Sequence, residues 1–366
     1  MMKTKLLTLM GLLLIASPSW AAEFCVQSSS DLTAALSSAG SNGQTDLIKI
    51  KQGLYTVPSG GFSLNNSDNM DVTISGDWTE FFDNPCGQQL NGNAFNTVLD
   101  GDGVERIINF FMNFSGDLII SNLFFANAHY TTTNGGGRGG AIGFFPAPNY
   151  GGEILIENNA FINNTADYGA AISLIAGRLV TLKNNLFTIN KTNQCCAVEV
   201  LVSDQADGIY IINNTFYQNY HVGNDAGYIS GLWLSASSTA QAFVANNIFW
   251  ENDFVDISFN GDGFKYFKNN NIEELEGTVN LFDSNISADP NFEVGIFNYT
   301  PAAGSLMINA GLDSPPFPLP IFDQNWDVGS SDLIGDTRVK MGAVDIGAVE
   351  SAQMDVIFAS GFEIIL

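Results

Sequence analysis

The chain has 366 residues, with 13 Lys and Arg against 38 Asp and Glu, a formal net charge of −25. A surface that negative repels nucleic acid and anionic lipid, so both are excluded as partners, and solubility outside the cell is its plainest use. Hydrophobic residues make up 45% of the chain, 28 of them Phe, which supplies a large apolar interior.

The first element is a targeting segment. A basic start at Lys3 and Lys5, an apolar run from Leu6 to Ala16 and small residues Ser19 and Ala21 form a secretory signal peptide over residues 1–21, cut after Ala21. The apolar run is too short to span a bilayer, and no later stretch is long and apolar enough for a transmembrane helix. Residues Asp31 to Ser38 follow as a short amphipathic helix with Leu32, Ala35 and Leu36 on one side and Ser30 or Asp31 as its N-cap. It would cap the end of whatever follows.

Asn-x-Phe-x-x-Asn then occurs five times, beginning at Asn122, Asn159, Asn185, Asn214 and Asn247, with uneven spacing. A fixed core pattern at uneven spacing reads as one turn of a solenoid with loops of varying length. Three residues upstream of each unit stands an aliphatic residue, Ile119 in the first, and five upstream another in all but the first, which has Asp117; with outward residues such as Thr181, Lys183 and Tyr210 between, this is the pattern of a strand with one buried face. Paired asparagines such as 158–159 and 213–214 break each strand, because Asn tolerates the left-handed conformation of a sharp bend. Phe124, Phe161, Phe187, Phe216 and Phe249 then turn inward to stack coil on coil, about 4.8 Å apart, while the asparagine amides form a ladder. The expected fold is all-β: a single-stranded right-handed parallel β-helix, or β-solenoid, over residues 22–283, with a short N-terminal capping helix.

These repeats, with Gly139–Ile142 and Gly169–Ile172, resemble those of polymorphic outer-membrane proteins and other bacterial parallel β-helix proteins. The series Ala288–Phe292, Ala303–Ser305, Ile308–Gly311, Asp332–Arg338 and Gly342–Glu350 resembles the tail of bacterial choice-of-anchor Q domain proteins. The resemblance implies an exported or cell-surface protein with the tail, residues 284–350, packed on the helix. It differs from polymorphic outer-membrane proteins in leaving no room for a C-terminal membrane barrel. Residues 351–366 end in Phe358–Glu363, similar to short C-terminal tails of exported bacterial proteins, and read either as a sorting tag or as a strand closing the open end.

Export permits disulfides, and Cys25–Cys86 would staple the N-terminal end. Cys195 and Cys196 are adjacent, and neighbouring cysteines seldom pair, so one is expected in the core and the other at the surface. No cysteine has zinc-site spacing with His129 or His221. Asp100 and Asp102, and Asp262 in the Asn260–Gly263 loop, resemble fragments of calcium loops; position twelve from Asp100 is Phe111, which excludes a helix-loop-helix site. Calcium is therefore a candidate ligand and no cofactor is required.

Gly135–Gly140 matches the dinucleotide-binding spacing, yet lacks the strand before and helix after that the motif needs, so it reads as a flexible inserted loop. The Asp-Asp, Asn-Thr-Asp and Gly-His-Gly motifs of polygalacturonase-like enzymes are absent. If chemistry exists, it would fall on outward groups of the middle coils: Arg178, Lys183, His221 and Asp225 as catalytic candidates, beside Glu199, Asp204 and Tyr210. Tyr217, Tyr220, Trp233 and Trp250 could stack on sugar rings. The expected role is a structural, adhesive or glycan-binding one, as a monomer contacting polysaccharide or cell-surface glycan. The alternative is a polysaccharide lyase or glycoside hydrolase working in a groove on the helix face.

Overall fold

A computed structural model describes residues 21–176, 178–202, 208–222, 228–237, 239–313, 327–340 and 342–352. The signal segment, Asp204, Asp225 and the C-terminal sorting motif lie outside these residues.

One coil shows how the sequence makes the fold. Glu153–Glu157 is a strand whose Ile154 and Ile156 point inward; Asn158 then turns the chain at φ 54°. Ala160–Ile162 follows with Phe161 inward, and Asn163 turns it again at φ 58°. After Thr165–Tyr168, Gly169 makes the third corner at φ 57°, and Ile172–Ala176 completes the circuit. A side chain at Gly169 would strike the carbonyl of Ile172, so this corner needs glycine for space as well as for conformation. Repeating the circuit stacks the strands, in register and parallel, into a first sheet of ten stacked strands plus an antiparallel hairpin strand, second and third sheets of eight strands each, and a fourth of four. The protein is a parallel β-helix.

Two asparagine ladders run up its corners. In one, the Asn159 amide donates to Asn185 Oδ1 (3.2 Å), and the chain continues through Asn214, Asn247, Asn270 and Asn285 at 2.8–3.0 Å. The second links Asn164, Asn190, Asn219 and Asn252 at 2.8–3.0 Å. These residues lie at the core's edge, where each amide satisfies backbone groups that the bend strips of strand partners. Between the ladders Phe125, Phe161, Phe187, Phe216 and Phe249 stack at centroid distances of 4.6–5.0 Å.

The first unit is displaced by one residue from its expected alignment. Phe124 pairs with Ala160 and Phe125 with Phe161, so Phe125 enters the stack while Phe124 faces outward against Phe95 and Phe297. Asn122 aligns with the corner residue Asn158, at φ 59°, and Leu123 takes the ladder position. The cause is the period of two: Leu118 and Ile120 are the buried pair, and a slip of one residue sends every side chain to the other face.

At the N-terminal end the helix Ser29–Ala39 covers the first coil with Leu32, Ala35, Leu36 and Ala39. It starts earlier than expected because the Ser28 hydroxyl accepts from Asp31 N (3.2 Å) and serves as the N-cap. A Cys25–Cys86 disulfide ties the first strand to the hairpin. Cys195 and Cys196 are joined to each other, both buried, contrary to the expectation of one inside and one out. Cys196 occupies the corner that Gly139 and Gly169 fill in earlier coils, at φ 58°, and there the backbone already turns sharply.

Past the last strand, Leu281–Asp283, the chain returns along the outside of the first and second sheets. Val328 and Val344 pack on Leu179, Ile212 and Phe243, while Leu333, Ala348 and Val349 pack on Ala160, Ile162 and Leu186. The outward corner asparagines reach it: Asn184 donates to the carbonyls of Val328 and Ser331 (both 3.0 Å), Asn213 to Asp345 (3.1 Å) and Asn246 to Leu312 (2.9 Å). Each asparagine pair thus divides its work, the first residue gripping the tail and the second building the ladder.

Candidate functional site

The docked tail decides which outer surfaces remain open. Tyr217 meets Phe292 and Tyr299 edge-on, and Trp250 packs in the cluster of Ile248, Met307 and Ile346. Two of the four expected sugar-stacking residues, Tyr217 and Trp250, are therefore packed against the tail. Tyr210 is buried with Val328 and Val344. Lys183, one of the catalytic candidates, is 8% exposed and pairs with Asp327 (2.9 Å) and Glu157 (3.1 Å). Burial works to lower its pKa, but the two carboxylates outweigh it and hold the ammonium above its ordinary range. It is a tail anchor.

His221 is buried, stacked on Tyr228 at 4.0 Å, with its backbone N–H on Asp253. Arg178 is exposed at the entry to a strand of the first sheet. These two and Lys183 thus occupy separate surroundings. Asp262 lines a cavity with Lys265 near the far end, well apart in sequence from Asp100 and Asp102. Among the described residues no three His, Cys, Asp or Glu side chains gather as a metal-binding group, and no helix is long and apolar enough to cross a membrane.

Open surface with repeating polar chemistry lies over the fourth sheet. A groove of about 430 Å³ is lined by Asp100, Asp102, Asn127, His129, Asn163, Thr165 and Lys191. His129, Thr165, Lys191 and Tyr220 are register partners on four successive coils, so they rise in one row at coil spacing. Beside them a second row is linked end to end: Asn127 donates to Asp100 (3.0 Å), Asn163 to Asn127 (2.7 Å) and Lys191 to Asn163 (3.0 Å). This brings two of the calcium candidates together with a histidine and a lysine that sequence reasoning missed. A signal existed: Thr165, Lys191 and Tyr220 each directly follow the asparagine that closes a repeat unit.

Beyond the groove two guanidiniums lie on aromatic rings. Arg106 sits 3.6 Å from the Tyr130 ring centre and donates to Gly139 O (2.8 Å). Arg138 sits 4.4 Å from the Tyr168 ring and pairs with buried Glu199, which also accepts from Ser173 (2.6 Å). Trp233 is the register partner of Glu199 on the next coil. The glycine-rich loop carrying Arg138 is held down, not loose: Asp167 accepts from Thr132 N (2.9 Å), Gly137 N (2.7 Å) and the Asn193 amide (2.8 Å). Burial opposes ionisation of Asp167, but these donors prevail and lower its pKa.

In the tail, the motif residues form a buried ionic knot. Arg338 is 0% exposed, with Glu350 Oε1 3.2 Å from its Nε, and it donates to the carbonyls of Asp345 (2.8 Å) and Gly347 (2.7 Å). Asp332 accepts from the backbone of Ile334, Asp336 and Glu350, and Asp345 from Asn309 and Ser351. Burial pushes Glu350 from 4.5 up to about 7, against the pull of Arg338. A carboxyl with a raised folded pKa contributes stability in full below its unfolded value, and loses it as pH climbs through the folded value. The knot should therefore weaken between about pH 4.5 and 7, by an amount on the order of 3 kcal/mol. Melting curves across that range should show a downward slope that Glu350→Gln flattens; an unchanged slope would refute the assignment.

The chain matches no known family model and no curated protein.

Proposed function

We propose that this protein is exported and works as a structural or adhesive surface protein that holds an extended glycan along the fourth-sheet groove. What supports this is the double row of hydrogen-bonding side chains repeated at coil spacing, Asp100–Asn127–Asn163–Lys191 beside His129–Thr165–Lys191–Tyr220. Successive sugars of a polysaccharide present hydroxyls at regular intervals, and amide, carboxylate, hydroxyl and ammonium groups match them as donors and acceptors. Tyr130 and Tyr168, half-buried beside the row with a guanidinium on one face each, add aromatic edges to it. The signal-like N-terminus and the choice-of-anchor Q-like tail motifs support export and surface display. Binding in this groove requires no cofactor; calcium at Asp100 and Asp102 would strengthen contact with an acidic glycan.

The test is electrophoresis of the purified chain through gels loaded with neutral and acidic polysaccharides. Retardation on at least one glycan is expected, and a His129→Ala/Lys191→Ala variant should weaken it about tenfold, or roughly 1.4 kcal/mol. No retardation on any polymer would overturn the proposal. A rise in reducing ends or shortened polymer would replace it with a polysaccharide-cleaving enzyme acting in the same groove.

A further inference from the structure

Near the far end of the solenoid an amine stands where earlier coils place hydrocarbon. One inward row of the first sheet runs Leu118, Ile154, Val180, Ile209, Ala242 and then Lys265, each in register with the next. The alternation of the strand Phe264–Lys268 sets the direction, since Lys265 and Phe267 are its buried residues and Ala242 and Val244 their core partners. Lys265 is 4% exposed. Its Nζ donates to Gly261 O (2.6 Å), and among the described residues no carboxylate closes an ion pair with it. An ammonium has three protons to place, and one carbonyl satisfies one of them. Burial accordingly lowers the Lys265 pKa, with the charge of Asp262 acting in the opposite direction.

The amine is also reachable. Lys265 lines a cavity of about 390 Å³ with Asn260, Asp262, Thr278 and Asn280, where few coils remain to cover it. A buried amine, one acceptor and an open approach are what a lysine nucleophile needs.

We propose that Lys265 is a covalent capture site for small uncharged aldehydes. The Nζ lone pair attacks the carbonyl carbon and a C–N bond forms. A proton passes from nitrogen to the former carbonyl oxygen to give the carbinolamine. That hydroxyl then leaves as water while nitrogen gives up its second proton, which completes the water, and an imine remains. Aldehydes bearing negative charge are disfavoured, because Asp262 borders the cavity and the whole chain is strongly anionic.

The full chain is incubated with propanal and cyanoborohydride at neutral pH, which reduces each imine to a stable secondary amine, and the lysines are then mapped by peptide mass. Lys265 should be alkylated severalfold faster than Lys51, because burial against a single carbonyl acceptor leaves a larger share of its amine unprotonated at neutral pH. Its rate should also level off at a lower pH than that of Lys51. Lys265→Met should remove the fast site with the other lysines unchanged. If that variant misfolds, the pH profile of Lys265 in the unaltered chain decides alone. Labelling of Lys265 no faster than Lys51, or the same pH midpoint for both, overturns the proposal.

Discussion

Replacing Arg338 by methionine should detach the tail and cost about 3–5 kcal/mol, the usual result of stripping the counter-ion from a buried charge cluster. Arg338 is the fully enclosed cation among Asp332, Asp345 and Glu350, while Lys340 acts on them from the half-buried edge. Methionine fills a similar volume but removes the charged donor from the carbonyls of Asp345 and Gly347, which keep only the Asn213 amide. Those carbonyls belong to the segment that also receives the Asn213 amide, so the loss passes directly to the tail's grip on the coil. Because each coil of a solenoid contacts mainly its neighbours, the coils should survive while the tail opens. Limited proteolysis is expected to cut between residues 327 and 352 in the variant and to spare the strands, with denaturant melting showing an early second step. A single transition within about 1 kcal/mol of the parent would show that the knot is dispensable.

Asn214→Ala should be nearly as damaging, on the order of 4 kcal/mol. The Asn214 amide donates to Asn247 Oδ1 (3.0 Å) and Leu182 O (2.8 Å), and its oxygen accepts from both the backbone and the side chain of Asn185 (3.0 Å each). Alanine takes a partner from the Asn185 N–H and amide, from Asn247 Oδ1 and from the Leu182 carbonyl, all at a buried corner, at about 1–3 kcal/mol for each group left unpaired. The side chain of Gln218, on the solvent side of the neighbouring corner, donates to Glu251, and its replacement by alanine should change stability by less than about 0.5 kcal/mol. Urea melts of the two variants separate the cases, and comparable losses would mean that a ladder amide contributes no more than an exposed one.

The ladder was legible because it is local and repeated. Asn159, Asn185, Asn214 and Asn247 recur with the same neighbours, and each coil corrects the reading of the next. The first unit failed for the same reason: with Asn122 and Asn127 as the only guides, the hexapeptide fits equally well one residue out of register, and only the neighbouring strand decides that Leu118 and Ile120 face inward. The pairing of Cys195 with Cys196 was hidden because it depends on a corner conformation, which stacking on Gly169 imposes.

The candidate site was less legible than the fold. Asp100 and Asp102 were singled out from their turn, whereas His129 and Lys191 look like isolated polar residues until pairing lines them up with Thr165. Tyr217, Trp250 and Lys183 carried the right chemistry for a glycan surface and were claimed by the tail instead.

The sequence by itself determined the cross-section of the coil: period-two strands, asparagine corners able to hold positive φ, and an inward Phe. All of these are set by residues within one turn. Tertiary structure alone decided which outer faces stay open, which residues meet there and where the ionic knot closes. Those outcomes rest on pairs such as Lys183 and Asp327, 144 residues apart, and Asn184 and Ser331, 147 apart. An outward side chain on a strand has no local preference for solvent over a covering segment; the covering segment's own apolar residues, Val328, Leu333, Val344 and Val349, make that choice by burying themselves against it.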